Sequence, residues 1–196
     1  MHEQLLLKEH FLRYVALDPH ELEAICEYFF PIQVRKGEYV LRKGETCRFE
    51  GFVVQGCFQI FTINPKEKEK ILYFAAEDWW VMDVDSFTND TPSELYIQAI
   101  ENSLMLRISK TDKEALYQEL PKVERIFRIM SQKAVASWQR RLIRNHTISA
   151  EDRYHHFVTS YPGIAKRVTN KQIASYLGIT QEFVSIIRKR RLSRRV

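Results

Sequence analysis

Apolar positions change their period twice along the chain. Between residues 3 and 30, Leu5, Leu6, Phe11, Leu12, Val15, Leu22, Ile25, Cys26 and Phe29 recur at spacings of three and four, which predicts helix. Asp18-Pro19 opens a fresh segment, with Asp18 as N-cap, Pro19 in the first turn and Glu21 placed for a capping box. From Pro31 to Ile108 the texture becomes short runs rich in Val, Ile, Phe and Tyr. These predict strands at 32–34, 39–42, 49–55, 57–64, 70–75, 94–99 and 103–108. Lys36-Gly37-Glu38, Lys43-Gly44-Glu45 and Asn64-Pro65 with its charged run punctuate them as turns. Many short strands at near-regular spacing mean a sandwich or barrel.

Residues 110–147 return to helix. Ser109 or Thr111 caps a short piece, and Pro121 fits the first turn of a long one. Val123, Phe127, Met130, Ala134, Trp138 and Leu142 follow three-to-four spacing. So long a stripe suits pairing with a second copy better than packing within one chain.

The sharpest pattern is VTNKQIASYLGITQEFVSIIRKRR, residues 168–191. Thr169 and Gln172 match a capping box, and Ile173, Ala174 and Leu177 form an apolar face. Gly178 ends this helix in the left-handed conformation that glycine tolerates, and Thr180 caps a second helix at once. The outline is a helix-turn-helix. At about 100° per residue, Gln181, Glu182, Ser185, Arg188 and Lys189 share one arc of the second helix. Phe183, Val184 and Ile187 take the opposite arc, and Ile186 falls between them. One face can pack while the other reads base edges in a major groove. Thr169, Lys171 and Thr180, at the two helix starts, complete the set expected at double-stranded DNA.

Charge strengthens this expectation. Residues 1–120 hold 13 Lys and Arg against 21 Asp and Glu, whereas residues 121–196 hold 17 against 4. A polyanion partner is expected for the second half. Six basic residues, Arg188 to Arg191 with Arg194 and Arg195, crowd its end. At 45% hydrophobic and 28% charged residues, the composition excludes a disordered chain. The longest charge-free stretch, 51–65, is too short to span a bilayer, and MHEQLLLKEH lacks the apolar core of a signal peptide. A cytoplasmic protein without membrane association is expected.

In the order of its parts the chain resembles the Crp/Fnr superfamily of transcription regulators. The glycine-turned strands, the long helix and the segment LGITQEFVSIIRKRR carry the resemblance. It implies an α+β fold: an N-terminal cyclic-nucleotide-binding-like jelly roll (1–120), a dimerisation helix (121–147) and an all-α helix-turn-helix domain (148–196). It also implies a homodimer on a palindromic operator, with RNA polymerase as a further partner. Gln181 would then pair with adenine, Glu182 would accept from cytosine, and Arg188 or Lys189 would take phosphate or guanine.

Three departures limit the resemblance. Cyclic-AMP-binding relatives carry Gly-Glu and Arg-Ser or Arg-Thr in a phosphate cassette; here Met82-Asp83 and Ser93-Glu94 stand in those places. No Arg or Lys lies between Lys70 and Arg107, and a buried phosphodiester without a cation is poorly compensated. Cyclic AMP is therefore not expected, and no cofactor is assigned. Any effector at Asp83, Val84, Ser93 and Glu94 is of another kind, or Trp79, Trp80 and Phe87 fill the space and the roll is a scaffold. Ile186 stands where many relatives have Arg, and the five residues after Arg191 are too few for the β-hairpin wing that often follows.

Other classes fit less well. A kinase-type cyclic-nucleotide module has no need of the basic half. Cupin enzymes need histidine ligands inside the roll, but His2, His10, His20, His146, His155 and His156 all lie outside the predicted strands. Cys26, Cys47 and Cys57 lack the spacing and number for a four-thiolate cluster or a disulfide framework, so burial as small apolar side chains is expected. No nucleophile elbow, Walker loop or dinucleotide fingerprint is present, and no enzymatic activity is expected.

Overall fold

The computed structural model describes residues 3–193, with side chains through residue 190. The chain forms two compact units. The first comprises residues up to Ile60 and Phe74–Val135; the second comprises Phe61–Tyr73 and the chain from Ala136 onward.

The first unit opens with α1 (Leu5–Leu12) and α2 (Pro19–Glu27). Asp18 caps α2 as its sequence demands: its carboxylate accepts from Glu21 N, and the Glu21 carboxylate accepts from Asp18 N. Eight strands follow: β1 (Phe30–Val34), β2 (Tyr39–Leu41), β3 (Phe49–Gln55), β4 (Phe58–Ile63), β5 (Glu69–Ala75), β6 (Trp80–Val81), β7 (Tyr96–Ala99) and β8 (Ser103–Ser109). They form an antiparallel jelly roll of two four-stranded sheets, ordered β1-β8-β3-β6 and β2-β7-β4-β5. Strand β6 has only two residues and exists through its pairing, Gly51 with Val81 and Phe52 with Trp80. At Gly56, φ is +95°, and an added Cβ would stand 2.7 Å from Ser103 Cα, so the β3–β4 turn admits no side chain. A short helix, α3 (Val84–Asn89), precedes β7, and α4 (Lys110–Glu119) follows β8 with Ser109 as its cap.

The core of this unit joins α1 and α2 to the roll and to the start of α5 (Pro121–Thr147). Leu7, Phe11, Ile25, Phe29, Phe52, Leu106, Ile108, Leu116, Val123, Ile126 and Phe127 are buried together. Trp80 lies among them, 5.2 Å from the Phe52 ring and 5.3 Å from the Phe127 ring. All three cysteines are buried and none forms a disulfide.

Two polar groups reach into this apolar region. Glu50 is buried and meets Lys113 Nζ at 2.5 Å, with the ammonium 4.1 Å from the Phe127 ring centroid. Burial pushes the Glu50 carboxyl up, and Lys113 pulls against it. His10, on α1, is also buried. The Trp80 indole N–H donates to its Nε2 at 3.1 Å, so that nitrogen carries no proton and Nδ1–H donates to Asp78 at 2.7 Å. Burial pushes the His10 pKa down despite Asp78, with Arg13 and Lys133 adding to the depression.

The second unit contains the β4–β5 tip, the latter part of α5, and helices α6 (Ala150–Ser160), α7 (Pro162–Arg167), α8 (Asn170–Leu177) and α9 (Gln181–Ser193). Tyr73 and Trp138 meet edge to face at 5.6 Å. The Arg141 guanidinium lies 4.1 Å from the Tyr176 ring centroid and donates to Tyr176 O. The Ser175 hydroxyl donates to Glu69 O at 2.7 Å and accepts from Ile71 N at 3.0 Å.

Candidate nucleic-acid interface and the closed cassette

Helices α8 and α9 form the helix-turn-helix. At the start of α8, Gln172 N donates to Thr169 Oγ1 at 3.2 Å and Thr169 N donates to the Gln172 side chain at 2.8 Å, a closed capping box. Gly178 takes φ of +70°, which stops α8 in a left-handed turn. Phe183 N then donates to Thr180 Oγ1 at 3.2 Å to begin α9. Tyr154, Phe157, Ile173, Ala174, Leu177, Val184 and Ile187 are buried. Gln181, Glu182, Arg188 and Lys189 are exposed on α9, and Ser185 is half-buried. Thr169, Lys171 and Thr180 are exposed too. Ile186, between the two faces, is 45% exposed.

Two contributors, Asn170 and Tyr154, were not evident in the sequence, and Arg190 of the basic run gains a neighbour. Asn170, the first residue of α8, accepts from Arg188 Nη1 through Oδ1 at 2.5 Å and donates through Nδ2 to Ser185 Oγ at 3.4 Å. Tyr154, on α6, accepts from Arg188 Nε at 3.1 Å. Arg190 is exposed beside Glu151, at 3.9 Å. Only the crossing of α6, α8 and α9 brings these groups together, and no local motif encodes that crossing. The side chains of Arg191, Arg194 and Arg195 lie outside those described, so the basic end is represented here by Arg188, Lys189 and Arg190.

The helix stripe is divided. Val123 and Phe127 are buried in the core of their own unit, and Met130 packs against that core. Val123 and Phe127 fill the protomer and are not open to a second copy, whereas Met130 is half-buried. Ala134 is exposed, as are Val135, Trp138, Leu142 and Ile143. The exposed apolar face therefore begins near Ala134.

The cassette positions separate as well. Asp83 is buried and caps α3, accepting from Asp85 N at 3.1 Å. Its other oxygen accepts from Ser93 Oγ at 2.6 Å. Ser86 Oγ accepts from Cys47 N and donates to Thr91 O. Asp83 and Ser93 thus satisfy each other, whereas Val84 is 65% exposed and Glu94 forms an ion pair with Lys43 at 2.6 Å. A cation does stand near the cassette, on a segment distant in sequence, and the Glu94 carboxylate holds it and raises its pKa. Trp80 belongs to the core under α1 and α5, and Trp79 is exposed, so neither is packed as cassette filling; Phe87, on α3, is buried.

Residues 31–119 match the family model described as the cyclic nucleotide-binding domain. The chain as a whole has the fold of Crp/Fnr-type regulators. FixK2 from Bradyrhizobium japonicum superposes with a TM-score of 0.75 at 16% identity, covering 85% of each chain. The c-di-GMP-responsive global regulator CLP of Xanthomonas campestris gives 0.70 at 16% identity, over 90% of this chain and 92% of that one. The sensor domain of the transcriptional regulator DNR from Pseudomonas aeruginosa gives 0.55 at 24% identity, over 74% and 95%. Comparison with curated protein sequences finds no match. Among the described residues, no helix is long and apolar enough to cross a membrane.

Proposed function

We propose that this protein is a sequence-specific, double-stranded-DNA-binding transcription regulator. The observation that carries this is α9: Val184 and Ile187 anchor it while Gln181, Glu182, Arg188, Lys189 and Arg190 are exposed on it. Regulators of this fold, FixK2 and CLP among them, support the assignment. Gln181 offers a bidentate amide to adenine and Glu182 an acceptor to cytosine, and Arg188 and Lys189 serve phosphate or guanine. Two protomers associate through the exposed α5 face at Ala134, Val135, Trp138 and Leu142 and read a palindrome with half-sites about 10–10.5 base pairs apart or a multiple of that. The protein acts in the cytoplasm and works with RNA polymerase at its promoters.

The roll works without cyclic AMP, since Asp83 and Ser93 engage each other and Glu94 engages Lys43. This favours a scaffold roll over a nucleotide sensor. Selection of binding sites from a random duplex pool, with purified protein and no added effector, tests the proposal. A palindrome that binds equally well with and without cyclic AMP is expected. Salt-sensitive binding with no sequence preference would overturn the specific-regulator assignment, and a site lacking two-fold symmetry would overturn the dimer. Arg188→Ala should lower affinity and reduce the salt slope by about one.

A further inference from the structure

Arg188 is exposed, yet it is not loose. Two of its five N–H donors are engaged among the described residues, Nε by Tyr154 Oη and Nη1 by Asn170 Oδ1. The partners come from different helices, α6 and α8, and Tyr154 is only 2% exposed. The guanidinium is therefore held from two directions. Asn170 is committed at both ends of its amide. Arginine can only donate, so Oδ1 must face Arg188, and Nδ2 then faces Ser185 Oγ. Ser185 in turn donates to Gln181 O at 3.1 Å. One amide thus ties together Ser185 and Arg188, neighbours one turn apart on the exposed side of α9.

We propose that Asn170 and Tyr154 are positioning residues that hold the Arg188 guanidinium ready for an oxygen or nitrogen acceptor on duplex DNA. This rests on the DNA-binding assignment above. Three N–H donors remain after the two internal bonds, enough for a two-point contact to a phosphate or to the guanine edge. A free arginine loses much side-chain freedom when it binds. Here that loss is already met on folding, so more of the contact energy appears as affinity.

The test uses the full chain and the duplex that the unmodified protein selects from a random pool. Dissociation constants are measured over a range of salt for the unmodified protein, Tyr154→Phe, Asn170→Ala, Arg188→Ala, and the two double variants containing Arg188→Ala. Tyr154→Phe keeps the buried ring and removes only the hydroxyl, and circular dichroism verifies that each variant is folded. Each positioning variant is expected to bind about twofold to tenfold more weakly. In the Arg188→Ala background the same changes should have no further effect. A loss shared by all duplexes identifies a phosphate as the acceptor; a loss confined to the selected site identifies guanine. Losses that persist in full beside Arg188→Ala, or no loss from either positioning variant, would overturn the proposal and leave a clamp between helices. Failure of the unmodified protein to select any site would strike the DNA-binding assignment itself, which separates the two failures.

Discussion

The cassette of the roll and the seam of the helix-turn-helix use the same kinds of side chain to opposite ends. At the cassette a carboxylate and hydroxyls close on one another: Asp83 on Ser93 and on the start of α3, Ser86 on Cys47 and Thr91. The exposed positions beside them are an apolar Val84 and a Glu94 already paired with Lys43. At the seam, Thr169 and Gln172 also close on one another, but the next helix leaves Gln181, Glu182, Arg188 and Lys189 exposed. A polar residue at a family's ligand position says little until its partners are known. Where its hydrogen bonds are met within the fold, a ligand must first break them.

Glycine gives the strongest way to break this comparison. Gly56→Ala forces a Cβ against the Ser103 backbone at 2.7 Å in a turn with φ of +95°. It should destabilise the protein by about 3 kcal/mol or more, read from urea denaturation. A smaller loss, of about 1–3 kcal/mol, is expected for Asp83→Ala, which removes a cap and leaves the Ser93 hydroxyl only the longer bond to Leu95 O. That variant should still show no cyclic AMP binding by calorimetry, because no cation is released. Gly178→Ala has the φ penalty alone, since nothing lies within 4 Å of the added Cβ. About 1 kcal/mol is expected, with DNA affinity reduced more than roll stability.

The smallest effect concerns His10. Its folded pKa lies below the ordinary 6.5 because of burial. Between the two values the unfolded chain binds more protons than the folded one, so stability rises with pH through that window. The contribution is complete above about pH 6.5 and lost as pH falls towards the folded value. Urea midpoints at pH 5.5 and 7.5 should therefore differ less in His10→Gln than in the unmodified protein. An equal difference in both would place the acid sensitivity elsewhere.

Much of the roll was legible because its strands obey local rules. Predicted strands at 49–55 and 103–108 fall on β3 (Phe49–Gln55) and β8 (Ser103–Ser109). The capping boxes at Asp18 and Thr169 and the stop at Gly178 are short-range signals, and the structure holds all three. Strand β6 escaped notice because two residues carry no period, and its definition comes from Gly51 and Phe52 on a distant strand. Helix α3 likewise has too few residues for a periodic face. Spacing could not divide the α5 stripe, since Val123 and Trp138 share one helix but differ in which unit they pack with. The Lys43–Glu94 pair and the hold on Arg188 depend on tertiary crossings that no window of sequence contains.

The Ser175 hydroxyl has a consequence for association. β5 ends its sheet, so its outer backbone groups are a template on which another chain could add a strand. By occupying Ile71 N–H and Glu69 C=O, one hydroxyl places a helix over that margin. While the second unit is folded, this part of the margin is withheld from strand addition. Loosening α8 therefore does more than disturb the helix-turn-helix: it uncovers a site for aggregation.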